Sequence, residues 1–186
     1  MDGKVTELLH AWHDFYVLIG TAAGTLIGTA AGTLIGLMFV AASISASYMT
    51  EKHQAGFQSF YTPTVVHFAS VLVTCIVLLA PLAVGPLGVL LLAIGVFGLG
   101  YASFVWVRMG RRGFTSTIDL ADRFWYALSP VAGHLLLVAA ALMVLLIGDG
   151  LSLEVLAAAI LLLLLAAIRN AWDITAWAVT RSRNPP

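Results

Sequence analysis

Long apolar runs alternate with short polar breaks along this chain. Five runs reach the roughly 20 residues that an α-helix needs to cross a bilayer core. They cover residues 15–48, 63–81, 86–107, 124–147 and 152–179. The pattern predicts an all-α, polytopic transmembrane helix bundle, one integral membrane domain over residues 1–186. Thr62-Pro63 reads as the N-cap and first residue of the second helix. "PLAVGP" reads as a tight turn before the third. Glu154 sits in the first turn of the fifth, where the helix dipole favours an anion. Ser129-Pro130 predicts a kink early in the fourth, with the freed backbone groups taken up by neighbours or water. "TSTIDLADRFWYAL", just ahead, reads as a helix lying along the membrane surface.

Composition sharpens this picture. The chain is 61% hydrophobic and 10% charged, with a mean hydropathy of +1.00. A soluble domain carries roughly 25% charged residues. Net charge is +0, so nothing points to nucleic acid. The one cysteine, Cys75, cannot form an internal disulfide. Arg108, Arg111, Arg112 and Arg123 fall between runs three and four, and Arg181 and Arg183 in the tail. Lys52 joins them, while "PLAVGP" and "GDGLS" hold no Lys or Arg. The positive-inside rule then predicts the N-terminus outside and the C-terminus inside.

The first run carries an internal repeat. The octamer GTAAGTLI occurs twice in succession and is closed by one more glycine. Gly20, Gly24, Gly28, Gly32 and Gly36 therefore form one stripe, which drifts about 40° per step on an ideal helix. Thr25, Ala31 and Thr33 widen it. Small residues let membrane helices approach closely. Each glycine costs roughly 1 kcal/mol of helix propensity against alanine, so the stripe needs a packing partner. Three partners compete: the rest of the chain, with the first helix as central hub; a copy of the chain, in a homo-oligomeric ring; or water, with Thr25 and Thr33 lining a pore. Both octamers make the run about 50 Å long against a core of about 30 Å, so the helix must tilt, kink or protrude. "GVFGLGYAS" in the third run reads as a second small-residue face, for instance Gly98 with Ala102.

Intramembrane polar residues are functional candidates by default. Arg169 and Asp173 are four apart and can pair, with Asn170 beside them. His67 and His134 fall at similar depths on runs two and four. They could ligate a haem iron or another metal, or hydrogen-bond to neighbouring helices. Glu7, His10 and Asp14 share one face of an amphipathic N-terminal helix, which reads as a weak divalent-cation site or a solvated face. No nucleophile–base set, P-loop or zinc-protease motif occurs, so no enzyme is expected.

The passages "WHDFY…GTAAGTLIGLMFVAAS", "TPTVVHF" and "IRNAWD" resemble a group of small bacterial polytopic membrane proteins. The resemblance implies membrane class and the bacterial inner membrane, and carries no functional residues across. The expectation is a homo-oligomeric channel or transport protein in the lipid bilayer, assembled through the first helix, without a cofactor. The alternatives are a non-catalytic accessory subunit of a larger membrane complex, and a haem- or metal-binding redox protein using His67 and His134.

Overall fold

The computed structural model describes residues 21–22, 24–43, 51–111, 123–148 and 151–182, with residues 51–60, 109 and 177–182 described by backbone alone. Among the described residues the secondary structure is helical, with no strand. The helices are α1 (Gly24–Ser43), α2 (Glu51–Leu79), α3 (Val84–Arg111), α4 (Ser129–Leu146) and α5 (Leu151–Ser182). A π-helical turn, Phe124–Leu128, leads straight into α4. Five helical stretches are long and apolar enough to cross a membrane. Leu26, Phe39, Phe97, Phe104, Leu146 and Trp172 point outward and are well over half exposed. Such faces are costly in water and neutral in hydrocarbon. The protein is an all-helical, multi-pass membrane protein.

Four helices close a ring. α2 packs on α3, α3 on α4, α4 on α5, and α5 on α2. α2 and α4 therefore face each other across the bundle. Small residues set the spacing. On α3, Gly88, Leu91, Gly95, Gly98 and Ala102 are all buried. Their steps of three and four follow the 3.5-residue period of left-handed helix packing. A Cβ at Gly88 would lie 2.6 Å from Leu145, and one at Gly95 2.9 Å from Val138. The small-residue face expected at Gly98 and Ala102 is thus the α3–α4 contact.

The expectation of α1 as hub is corrected. Only 17% of its span is buried, the least of the five. α1 lies along α2. Gly24 faces Leu79, Gly28 faces Cys75 and Gly32 faces Leu72, while nothing lies within 4 Å of a Cβ at Gly36. The positions turned inward include Gly24, Gly28, Ala31, Ile35, Met38 and Ala42, flanked by the half-buried Ile27, Gly32, Leu34 and Ala41. That seam steps four, three, four, three, four. A stripe of strict fours winds away from it, which is why Gly36 has left the contact. Thr25 and Thr33 face outward, each donating its hydroxyl hydrogen to the carbonyl four residues back, Thr21 and Thr29, at 2.9 Å. Gly20 lies outside the described residues.

Two helices start earlier than expected. α2 starts at Glu51 rather than Pro63, which sits inside the helix. A proline removes one ladder bond, and at the head of a span that loss does not stop the helix. α3 starts at Val84, two residues before Pro86, which occupies the first turn where no N–H partner is needed. α4 ends at Gly148, whose φ of 69° admits only glycine comfortably. Its N–H reaches the Met143 carbonyl at 2.9 Å.

Candidate functional site

Thr64, His67, Ser70 and Thr74 of α2 are buried, and so are Ser129 and His134 of α4 and Asn170 of α5. All of this polar set except Thr74, which lies past the middle of its span, occupies the half of the ring where α2 and α4 enter the membrane and α5 leaves it. The other half is walled by apolar or small side chains, including Leu91, Leu137, Ala140, Ala141 and Leu156.

His67 and His134 meet across the ring. They are 2% and 0% exposed, and their ring centroids are 5.6 Å apart with planes inclined at 52°. The common depth read from the sequence is therefore realised. Gly98 makes room for His134, because a Cβ there would overlap the imidazole. His134 Nδ1 lies 2.8 Å from the Pro130 carbonyl. A carbonyl can only accept, so Nδ1 carries the hydrogen and Nε2 of the neutral ring presents a lone pair. Nε2 is 3.5 Å from Ser70 Oγ. The one hydroxyl hydrogen of Ser70 goes to the Val66 carbonyl at 2.9 Å. Nε2 thus lacks a committed donor. His67 Nδ1 has no hydrogen-bond partner.

The π-helical turn forms the floor of this half. The Ser129 N–H bonds the Phe124 carbonyl, five residues back. Pro130 follows with no N–H, so the Trp125 carbonyl loses the next bond of that pattern. Two side chains replace it. Ser129 Oγ donates to that carbonyl at 3.1 Å, and Asn170 Nδ2 at 3.4 Å. Tyr126 Oη donates to the Asn170 carbonyl at 3.3 Å. The backbone group freed by Pro130 is the Trp125 carbonyl, and neighbouring side chains do re-satisfy it, as expected. Asn170 Oδ1 and Asp173 Oδ2 are buried without partners.

Arg169 and Asp173 form the expected pair, with side chains 40% and 26% exposed. An ion pair this open contributes little to stability. Among the described residues no group of three or more His, Cys, Asp or Glu side chains comes together. Glu7, His10 and Asp14 lie outside the described residues, as do residues 115–122 of the surface helix expected over 115–128, whose last five residues are the π-helical turn.

Sequence reasoning missed Ser70, Tyr126 and the seat at Gly98. Ser70 carried a signal, since three residues after His67 is the same helix face. Tyr126 and Gly98 carried none, because their roles depend on which helices become neighbours. No protein-family model, curated protein or solved structure matches the chain.

Proposed function

We propose that this chain is a membrane transport protein whose internal site is the His67–Ser70–His134 cluster. One observation carries the reading: two buried imidazoles from opposite helices lie with ring centroids 5.6 Å apart, His134 Nε2 at the far limit of contact with Ser70 and His67 Nδ1 without a partner. Buried polar groups in a bilayer are costly and mark ion or solute sites. The chain has short breaks between its runs and no motif for chemistry elsewhere. The arginines between α3 and α4 support an orientation with the polar half of the ring on the cytoplasmic side of a bacterial inner membrane, N-terminus outside.

The test is flux. Vesicles holding the purified chain are expected to take up cations from a monovalent and divalent panel, and His134→Gln to lose that uptake while remaining folded. Equal uptake in wild type, variant and empty vesicles would overturn the reading. α1 supports self-association as well, because it buries so little within its own chain. Its outward face, with Thr25, Thr33 and Gly36, is the surface on which copies meet. A foreign membrane subunit on that face is the competing reading, and co-purification from native membranes separates the two.

A further inference from the structure

We propose that the His67–His134 pair binds a soft monovalent metal ion, copper(I) or silver(I), through two imidazole nitrogens. This deepens the transport reading by naming its cargo, and rests on that reading to that extent. Three observations carry it. First, His134 is fixed as a ligand before any ion arrives. Its Nδ1–H is held by the Pro130 carbonyl, the outer-sphere contact that metal-bound histidines ordinarily make. Nε2 is left deprotonated, with Ser70 at the far limit of contact. Second, His67 Nδ1 is buried and unpartnered. A buried nitrogen without a partner is an unmet demand that an ion can meet.

Third, the spacing suits an ion. Two imidazoles bridged linearly by one metal at about 2.0 Å from each nitrogen have centroids about 6.3 Å apart. The observed 5.6 Å needs a shift of about 0.7 Å, or a bent bridge. A haem would need a slot between the rings wide enough for the macrocycle, and Gly98 presses directly on His134. The ligand count argues for low charge. Among the described residues the pair supplies two ligands, with no third titratable side chain grouped with them. A site of two neutral nitrogens, without a carboxylate, favours one positive charge over two, since burying ionic charge in a medium of low polarity is costly. Imidazole suits copper, and two-coordinate geometry belongs to monovalent ions with a filled d shell. Binding breaks no bond and displaces no proton from His134.

The test uses the full chain in lipid nanodiscs, titrated with silver(I), which stays monovalent in air. One tight equivalent is expected. It is lost in His67→Gln and in His134→Gln, and kept when His10, His13 and His53 are all replaced by Gln. X-ray absorption at the silver edge is expected to show two nitrogen ligands and no sulfur. Nitrogen-15 spectra of the unmodified protein keep the proposal testable should the variants not fold. Silver is expected to shift His67 Nδ1 and His134 Nε2 alone. No tight equivalent, an equivalent that survives both substitutions, or a sulfur ligand from Cys75 would overturn the site. Silver bound tightly with no flux of silver or copper(I) leaves the site standing and overturns its role in transport. Flux of other cations with no silver equivalent does the reverse.

Discussion

Gly28 opens the second octamer and Gly36 follows its close, and the two have different neighbours. Eight residues advance an ideal helix by two turns and about 80°. Gly28 faces Cys75, whose Cβ would stand 3.1 Å from a new one, whereas Gly36 faces no atom within 4 Å. Gly28→Leu is therefore expected to push α1 off α2 and lower stability by about 1–3 kcal/mol, as overpacking does. Gly36→Leu is expected to leave the stability of the single chain unchanged, or raise it by up to about 1 kcal/mol through helix propensity, whatever it does to association between copies. Unfolding both variants in the same detergent separates them; equal losses would refute the assignment of the α1–α2 seam. Gly98→Ala is the sharper residue-scale test. Its methyl would overlap the His134 ring, so α3 and α4 must separate or the imidazole must leave its seat. Loss of thermal stability together with altered His134 nitrogen-15 shifts is the expected result.

Among the elements, the π-helical turn before α4 has the most conditional hydrogen bonding. Its Trp125 carbonyl relies on two side-chain donors, one from α4 and one from α5. In hydrocarbon an unsatisfied carbonyl costs several kcal/mol, while a single side-chain bond in a membrane protein contributes about 0.6 kcal/mol on average. Ser129→Ala or Asn170→Leu alone leaves one donor in place. Each is expected to cost about 1 kcal/mol or less. The double variant leaves the carbonyl with neither, so its loss should exceed the sum. A double-mutant cycle in detergent unfolding measures that excess, and strict additivity would mean that the two donors do not share the Trp125 carbonyl. Asp173→Asn belongs beside it as a contrast. It breaks only a half-open ion pair, and a change within about 1 kcal/mol is expected.

On the scale of the whole molecule, the ring of α2 to α5 carries the polar half-core, and α1 lies against α2. Helices α2, α3 and α5 exceed the core thickness, with 29, 28 and 32 residues. Their surplus lies at one end of the bundle, the end that holds Arg108 and Arg111. The proposed orientation puts that end in the cytoplasm. A membrane-impermeant thiol reagent on intact cells should then label Ile147→Cys and spare Gly110→Cys, both of which replace exposed residues; Cys75 is buried and stays silent. The opposite labelling would invert the topology. Light scattering in detergent reads the oligomeric state, for which a multiple of 19.7 kDa is expected. A strict monomer would refute self-association through α1.

The sequence by itself determined the solvent and the number of crossings. Apolar runs of span length leave no other fate for the backbone than helices across a bilayer, and five were counted before any contact was known. It also marked His67 and His134 as level with each other, because depth along a helix is simple arithmetic. What only the tertiary structure decided was adjacency. Whether α1 is hub or flank depends on which stripe finds a complementary surface, and all five helices have apolar faces. The octamer advertises its glycines equally, yet the packing period of 3.5 buries Gly28, half-buries Gly24 and Gly32, and leaves Gly36 to the outside. Gly98 and Tyr126 entered the site for the same reason. A residue's place on its own helix is written locally, and its partner across the bundle is set by how four helices close into a ring.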